Sequence, residues 1–384
     1  MKKNQPYKGF EQGPIRPPSE ARSLLIRVTR NCPWNHCRFC PVYKNKKFSL
    51  RPVDHVIKDI DSVKAHIEKL IDTAQGKDYI TQEQMGLLLN KLNPEKEKSF
   101  YAAMNWFSNG MRSIFIQDAN SLIIKPENLI TILKYLRKTF PNIDRITSYA
   151  RSHTISRIKD EHLLSMRKAG LNRIHIGMES GSDEVLKLIK KGTTKKDHII
   201  AGLKVKKAGM ELSEYVMPGL GGKKFSEVHA KETADALNQI NPDFIRLRTL
   251  AIPKGIPLWE LRASGSFEEC SDIMKVQEIL IFLKTLSGIT SVIKSDHILN
   301  LFEEVKGAYP QDKEKMCSII ENFLEMPSQK QICYQVGRRF GIFRCLRQMK
   351  DTNKMAKVNE ICQNMQITKD NVDEVIKRMM NQFI

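Results

Sequence analysis

Three cysteines within nine residues are the feature of this chain with the clearest chemical meaning. Cys32, Cys37 and Cys40 follow the apolar run at 24–28, which is typical of a β-strand that enters a loop. Thiols crowded at the end of a strand suit three purposes: a disulfide with one thiol left over, three positions of a zinc site, or an iron–sulfur cluster held through three irons. The third arrangement leaves one iron open to bind another molecule, and we favour it.

Zinc is the main alternative, because three cysteines and one histidine form a common structural site. His36 is adjacent to Cys37, however, so both side chains would reach the same ion only with difficulty. No partner Cys-x-x-Cys pair follows within the next several dozen residues. Eight cysteines in 384 residues are not a disulfide framework. The remaining five are far apart and are expected to be core thiols without function: Cys270, Cys317, Cys333, Cys345 and Cys362.

The elements that position the cysteines alternate between strand-like and helix-like runs from about residue 22 to 260. Six runs have the composition of strands: Ser23–Thr29, Ser113–Gln117, Arg145–Tyr149, Asn172–Gly177, Leu212–Met217 and Phe244–Leu250. Such alternation predicts parallel strands joined by right-handed crossovers. Because six strands are too few for an eight-stranded barrel, we predict an α/β fold with a partial (β/α)6 TIM-like barrel. A doubly wound sheet is the alternative, and either places functional residues at the carboxyl ends of strands.

We predict three regions along the chain. Residues 1–21 form an N-terminal extension, residues 22–260 form the core with a helical insertion at about 41–110, and residues 261–384 form a helical C-terminal domain. Within the last region, Ser295-Asp296-His297 predicts the N-cap of a helix.

The charge and hydropathy of the chain indicate its surroundings. Lys and Arg number 63 against 43 Asp and Glu, a net charge of +20, which fits contact with nucleic acid or with an acidic protein such as an electron donor. The lysines are spread along the chain, so a solvated surface is the simpler interpretation. We expect a cytoplasmic protein without membrane contact, because no apolar stretch has membrane-spanning length and the N-terminus lacks the apolar segment of a signal peptide.

The cysteine loop, its place after the first strand and the six-strand alternation together resemble the radical S-adenosylmethionine (radical SAM) enzymes over roughly residues 22–260. The resemblance implies that Cys32, Cys37 and Cys40 bind a [4Fe–4S] cluster whose fourth iron takes the amino and carboxylate groups of SAM. An electron from the cluster then cleaves SAM to methionine and a 5′-deoxyadenosyl radical, which abstracts hydrogen from a substrate. It also implies a low-potential electron donor, a ferredoxin or flavodoxin.

One departure concerns the spacing. Four residues separate Cys32 from Cys37, where the family usually has three. Variant spacings exist in the superfamily, so the departure leaves the chemistry in place and argues against the best-studied subgroups.

The resemblance extends to residues that would contact SAM. It implies that Phe39 lies beside the adenine. After the second strand the family usually has a Gly-Gly-Glu-like turn that receives the SAM amino group, and this chain has Asp118 and Asn120 there as acceptors. The alternative is that these two residues only shape a turn.

The run at 177–187 resembles the turn after the fourth strand in the methylthiotransferase and oxygen-independent coproporphyrinogen-oxidase-like branches. That resemblance implies that Glu179 faces the ligand and binds the ribose hydroxyls, and that Ser180 and Ser182 shape the start of the next helix. We predict Glu179 and Ser180 as cofactor-binding residues. Lys190 or Lys191, of which we choose Lys191, stands where those branches carry a basic residue near the SAM carboxylate. A solvated lysine at a helix end is the alternative.

Two further features follow the fifth and sixth strands. Gly219 and Gly221 lie in a loop that resembles the one that passes the adenine. Arg246 and Arg248 point to the same side of a strand. If that side is inward, they could hold an anionic group of substrate or of SAM; if outward, they are solvated.

These observations support a radical SAM enzyme whose substrate and substrate-step catalytic residues the sequence does not identify. One alternative is a tRNA- or RNA-modifying radical SAM enzyme, since the elongator-like catalytic subunit is similar in places. The chain has no recognisable RNA-binding appendage, and it lacks an obvious second cluster motif, which argues against methylthiotransfer. The other alternative is a non-catalytic, zinc-stabilised RNA-binding protein, which the three cysteines and the net charge of +20 would also suit.

Overall fold

The computed structural model describes residues 6–380. The chain divides into two compact units. One comprises Met1–Pro33, Val42–His175 and Lys204–Glu211, and the other comprises Trp34–Pro41, Ile176–Leu203 and Leu212–Ile384. No helix within residues 6–380 is long and apolar enough to cross a membrane.

The first unit contains a parallel sheet. Its strands are β1 (Leu24–Arg27), β2 (Thr29–Arg30), β3 (Ser49–Leu50), β4 (Ser113–Gln117) and β5 (Arg145–Ala150). β4 pairs in parallel with β1 and with β5, and Ile116 stands opposite Ile26 on one side and Ser148 on the other. β2 and β3 form a separate antiparallel pair. Ile26 and Ile116 are fully buried, as expected for β-branched residues in a sheet covered by helices.

Helices fill the connections between these strands. They are α1 (Val53–Ala74), α2 (Gln82–Asn90), α3 (Glu97–Phe107), α4 (Pro126–Thr139), α5 (Ser152–Ile155) and α6 (Asp160–Lys168). α1 packs against α3 and α4 through apolar residues at three- and four-residue spacing. α2 begins with a capping box of Thr81 and Gln84. Three helices, α1, α2 and α3, therefore lie between β3 and β4.

β6 (Leu171–Glu179) begins in the first unit, whose last β6 residue is His175, and ends in the second. The other strands of the second unit are β7 (Glu211–Val216), β8 (Phe244–Leu247), β9 (Val292–Lys294) and β10 (Gly307–Ala308). β8 pairs in parallel with β7 and with β9, and β10 pairs antiparallel with β9.

The second unit is rich in helices. They are α7 (Asp183–Leu188), α8 (Lys195–Lys207, whose last residues belong to the first unit), α9 (Gly222–Ile240), α10 (Pro257–Ala263), α11 (Asp272–Thr285), α12 (Lys313–Leu324), α13 (Ser328–Arg339), α14 (Thr352–Asn364) and α15 (Val372–Met380). α9 and α12 pack against α11, and α13 packs against α14 and α15.

The α/β fold class is confirmed, and all six predicted strands are present with bounds that differ by a few residues. Residues 261–384, expected to be helical, also contain β9, which extends the parallel pairing of β8. A strand of three residues is too short to show an alternating pattern. The three predicted regions stay a prediction.

The predicted helix start at Ser295-Asp296-His297 is also wrong, since the next helix begins at Lys313. Both capping side chains are engaged elsewhere. Ser295 Oγ donates to the carbonyl of Phe302, and Asp296 pairs with Arg246.

Candidate functional site

The three clustered cysteines lie in the loop between β2 and β3, here called the cysteine loop (residues 31–41). Cys32 belongs to the first unit, and Cys37 and Cys40 belong to the second. All three thiols are partly exposed, whereas four of the other five cysteines are buried. Partial exposure suits side chains that must accept a cofactor from solution.

Trp34 fastens the cysteine loop to the segment that follows α7. Its indole Nε1 donates a 2.8 Å hydrogen bond to the carbonyl oxygen of Lys190. A Cβ added at Gly192 would overlap the indole ring. Lys190 and Gly192 both have positive φ, 51° and 67°, so the backbone bends here to receive the ring. The spacer between Cys32 and Cys37 is therefore anchored by its own tryptophan.

Arg38, which follows Cys37, adds three hydrogen bonds. Its backbone N–H donates to Ile189 at 2.9 Å, and its carbonyl accepts from the N–H of Leu258 at 3.0 Å. Its Nη1 donates to the carbonyl of Leu188 at 2.8 Å. Two of these bonds satisfy carbonyls that the end of a helix leaves unpaired. The end of α7 thereby positions the middle of the cysteine loop.

Glu179 ends β6 with a left-handed backbone, φ 64°, a conformation that is uncommon for a residue other than glycine. Its carbonyl accepts from the N–H of Met217 at 3.0 Å, and its Oε1 accepts from Lys191 Nζ at 3.2 Å. Its Oε2 is buried and has no hydrogen-bond partner within the described residues 6–380. An unsatisfied buried oxygen costs about 1–3 kcal/mol, which a ligand hydroxyl or N–H would recover.

The residues after Glu179 are held by α9. Ser180 Oγ lies 2.8 Å from His229 Nδ1, and the N–H of Gly181 donates to Thr233 Oγ1 at 2.8 Å. His229 Nε2 lies 3.1 Å from the carbonyl oxygen of Met217, which assigns the ring proton to Nε2 and makes Ser180 the donor to Nδ1. His229 therefore orients the turn, and ligand binding by Ser180 stays a prediction.

Lys191 lies between Glu179 and Phe39. Its Nζ is 3.2 Å from Glu179 Oε1 and 5.5 Å from the centre of the Phe39 ring. The side chains of Lys191 and Glu179 are each only 12% exposed, so this lysine is not the solvated residue that its place near a helix end also allowed. The second unit thus brings together three side chains that the sequence singled out separately.

Glu214 on β7 is a site residue that the sequence analysis missed. It is fully buried, and neither carboxyl oxygen has a partner in the part of the chain that the structure describes. Burial raises the pKa of Glu214 well above its ordinary value, the charge of Glu179 raises it further, and Lys191 opposes the rise. The neutral acid is therefore favoured. A glutamate inside the apolar run Leu212–Met217 was the signal that could have found it.

Asp118 anchors the start of the cysteine loop in the first unit. It follows β4 directly, is fully buried and has φ 74°. Its Oδ2 accepts from Arg27 Nε at 2.7 Å and from the backbone N–H of Asn31 at 3.2 Å, and its Oδ1 accepts from the Tyr43 hydroxyl at 2.9 Å. Because Asn31 precedes Cys32, this carboxylate holds the backbone next to the first cysteine.

Three arginines and three carboxylates beside this anchor form one ion-pair network: Arg27, Arg30, Arg51, Glu11, Asp59 and Asp118. Glu11 lies 2.6 Å from Arg30 Nη2 and 2.8 Å from Arg51 Nε. Burial raises the pKa of Glu11, but the hydrogen bond from Arg30 and the charges of the three arginines outweigh burial and lower it. The sequence analysis missed the network, although Arg27 inside an apolar strand was a signal.

Asn120 and its neighbour Gln117 are both fully buried. Asn120 Nδ2 donates to Thr154 Oγ1 at 2.9 Å, and its Oδ1 accepts from the N–H of Arg151 at 3.0 Å. Gln117 bonds both backbone groups of Gly13, at 2.8 and 3.1 Å. These bonds give the residues after β4 a structural role, and SAM binding by Asp118 and Asn120 stays a prediction.

Gly219 and Gly221 lie in a buried loop between β7 and α9. Gly219 has φ 86°, and its N–H donates to Glu278 Oε1 at 2.7 Å. A Cβ at Gly221 would meet the backbone of Phe225 at 3.0 Å. Packing against α9 and α11 therefore requires these glycines, and contact with adenine stays a prediction.

Comparison with known proteins matches residues 26–234 to the family model described as the radical SAM superfamily. The tRNA uridine(34) acetyltransferase of Methanocaldococcus jannaschii is 22% identical over 297 residues, which cover 71% of this chain and 50% of that protein. Its namesake from Methanocaldococcus infernus is 25% identical over 134 residues, 33% of this chain and 24% of that protein. This chain thus matches half or less of the length of these curated relatives.

Among solved structures, coproporphyrinogen III oxidase from Escherichia coli is similar with a TM-score of 0.43 and 15% identity, over 68% of this chain and 52% of that one. The family match itself covers more than half of the 384 residues, and it includes the cysteine loop and the turn at Glu179. The chain belongs to the radical SAM superfamily.

Proposed function

We propose that this chain binds a [4Fe–4S] cluster through Cys32, Cys37 and Cys40 and cleaves SAM reductively. The observation that supports this most directly is the docking of the cysteine loop on the end of α7 by Trp34 and Arg38. Phe39, which lies between Cys37 and Cys40 on this loop, contacts Lys191, and Lys191 pairs with Glu179.

The donor set fits the cluster that the family uses. Three partly exposed cysteines lie on one short loop. Over residues 6–380, no three His, Cys, Asp or Glu side chains converge on one ion. A cluster does not require convergence on one ion, because each thiolate binds a different iron. When bound, the cluster supplies the electron that splits SAM into methionine and a 5′-deoxyadenosyl radical.

The protein would bind SAM with the side chains around Glu179. The unpartnered Oε2 of Glu179 would accept a ribose hydroxyl. Lys191 would share its charge between Glu179 and the SAM carboxylate, and Phe39 would pack beside the adenine. Asp118 would accept the amino group through its Oδ1, which takes one hydrogen bond from a side chain of the described residues, that of the Tyr43 hydroxyl, and keeps acceptor capacity.

Formation of 5′-deoxyadenosine tests this proposal. The protein is reconstituted with iron and sulfide without oxygen, reduced with dithionite and incubated with SAM. Cys37→Ala is expected to abolish product and lower the bound iron. Cys345→Ala removes a partly exposed thiol outside the cysteine loop and is expected to change neither. Normal product from Cys37→Ala would refute the assignment.

Members of the family need a reductant, and we propose a ferredoxin or flavodoxin for this chain. Such donors are acidic, and the net charge of +20 favours their association. Reduction should slow as salt concentration rises, which stopped-flow measurement of cluster bleaching would detect.

A second proposal is that the substrate is RNA. The curated relatives are named for tRNA modification. The first unit also carries a cleft of about 690 Å³ lined by four cations, Lys134, Arg137, Arg167 and Lys168, and by no carboxylate. Lys134→Glu with Lys168→Glu should weaken tRNA binding and flatten its salt dependence. Lys64→Glu, on the exposed side of α1, is the control. Equal tRNA binding by both variants would refute the proposal.

A further inference from the structure

Two arginines at the end of β8 share one face of the sheet in the second unit. Arg246 Nε donates to Ser213 Oγ at 3.1 Å, and the guanidinium carbon of Arg248 lies 5.5 Å from the centre of the Tyr215 ring. The register agrees, since Tyr215 stands opposite Arg246. Val216, on the opposite face, lies against α9 and α11. The arginines therefore project from the face that does not meet these two helices.

Positive charge on this face exceeds negative charge. Arg246 is buried and is neutralised by Asp296 at 2.5 Å. Lys294 stands opposite Arg246 in the register of β8 and β9, so it projects from the same face. Arg248 and Lys294 are both partly exposed, and neither has an acidic partner among the residues from 6 to 380. Two of the three cations thus lack a carboxylate.

His297 adds an unpartnered polar atom. Its Nδ1 is shielded from solvent and has no hydrogen-bond partner within the described chain. Burial lowers the pKa of His297 to about 4, the charge of Arg248 acts in the same direction and Asp296 opposes it. The ring is therefore neutral at pH 7, and a neutral imidazole can donate one hydrogen bond and accept another.

The backbone on both sides of Arg248 is clamped by Asn300. Asn300 Oδ1 accepts from the N–H and the hydroxyl of Thr249, both at 2.9 Å. Its Nδ2 donates to the carbonyl of Leu247 at 2.8 Å. Asn300 is itself 4% exposed. The backbone of Arg248 is therefore rigid, and its guanidinium is stacked on Tyr215 before any ligand binds. Less conformational entropy is then lost when Arg248 binds a ligand.

We propose that Arg248, Lys294 and His297 form an oxyanion-binding subsite that takes a carboxylate or phosphate group of the substrate. The inference rests on the proposed radical SAM function and assigns its substrate to the anionic class. A guanidinium donates two parallel hydrogen bonds to either group, and an ammonium adds charge. The position fits, because Arg248 directly follows the carboxyl end of β8, where parallel α/β sheets bind ligands.

Isothermal titration calorimetry of the reconstituted enzyme with inorganic phosphate and with acetate, at constant ionic strength, tests the subsite. Arg248→Ala is expected to lower the affinity for the preferred anion at least about tenfold, the equivalent of one charge-assisted hydrogen bond. Arg248→Lys should retain part of it. Arg112→Ala removes an equal charge from an exposed arginine and should have no effect. Equal affinity in Arg248→Ala, or no measurable binding to the intact enzyme, would overturn the proposal.

The carboxylate of SAM is the other source of such an anion, and SAM titration separates the two. If Arg248→Ala binds SAM as tightly as the intact enzyme, the subsite belongs to the substrate. If its affinity for SAM falls by the same factor as for phosphate, the substrate assignment is overturned. Formation of 5′-deoxyadenosine without substrate is measured in the intact enzyme alongside these titrations. Its absence from the intact enzyme would instead refute the proposed function.

Discussion

Asp118 and Glu179 stand at equivalent places in two strands, yet their surroundings differ. Asp118 follows β4 with φ 74°, and Glu179 ends β6 with φ 64°. Asp118 accepts three hydrogen bonds from protein donors, and its ion-pair network balances every arginine with a carboxylate. Over the described residues 6–380, Glu179 has one side-chain partner, Lys191, and leaves a buried oxygen without a donor.

This difference separates a carboxylate that mainly holds the backbone from one whose vacant oxygen is open to a ligand. A satisfied buried network stabilises one geometry, which is what the backbone beside Cys32 needs. An unsatisfied one leaves free energy to be recovered by a ligand. Near Glu179 the protein keeps a second such group, the buried Glu214.

Asp118→Asn should have the largest effect on stability, because it leaves Arg27 buried beside a neutral group. Breaking a buried pair in this way costs about 3–5 kcal/mol. Urea unfolding of the apoprotein measures the free energy. The control is Asp160→Asn, an exposed carboxylate paired with Lys204 and Lys207, which should change stability little. Similar losses in both variants would contradict the anchoring role.

Gly192→Ala should disturb the cysteine loop more than a glycine substitution elsewhere. Gly209 provides the match, since its φ is 74° and a Cβ there would meet nothing within 4 Å. Gly209→Ala should cost only the left-handed backbone penalty, about 1–2 kcal/mol. Gly192→Ala adds overlap with Trp34, about 1–3 kcal/mol more, and should lower the iron bound after reconstitution. Equal iron in both variants would refute docking through Trp34.

Glu179→Gln should weaken SAM binding more than it lowers stability, the opposite of what is expected for Asp118→Asn. We expect the affinity for SAM to fall about tenfold, because one charge-assisted acceptor is lost. The free energy of unfolding should fall less than in Asp118→Asn, since within residues 6–380 Lys191 is the one side-chain partner of Glu179 and the Glu179 Oε2 accepts no hydrogen bond that could be lost. Calorimetry with SAM and urea unfolding measure the two quantities. Glu184→Gln, in the first turn of α7, is the control for SAM binding. A large stability loss with unchanged SAM affinity would mean that Glu179, like Asp118, mainly stabilises the fold.

Glu214→Gln should have the smallest effect, visible as a change in pH dependence. Because burial raises the pKa of Glu214, the folded chain keeps a proton that the unfolded chain releases above its ordinary pKa. Stability should therefore fall as pH rises above that value, with a slope of at most about 1.4 kcal/mol per pH unit. The variant should lose this slope. Its free energy of unfolding, compared with that of the intact chain by urea unfolding, should therefore be more favourable at pH 8 than at pH 5. The exposed Glu83→Gln should keep the original slope.

Local sequence determined the strands and much of the chemistry of the site. The six predicted runs, five to seven residues long, indicated every strand of four or more residues, because strand formation here follows from burial of β-branched side chains. The three cysteines and the residues at 177–191 indicated the family because they are close together in the chain, so their pattern survives without knowledge of the fold. The capping box of α2 is equally local.

Tertiary structure alone decided which of these groups are satisfied. Trp34 meets Gly192, and Asp118 meets Arg27, across long stretches of chain, so no local pattern announces either contact. The Ser295 run resembles a helix cap until its side chains find partners elsewhere. Folding decides which donors reach a buried carboxylate, and so whether its oxygens are satisfied by the protein or remain open to a ligand. Residue types set what chemistry the chain can perform, and packing decides which atoms remain available for it.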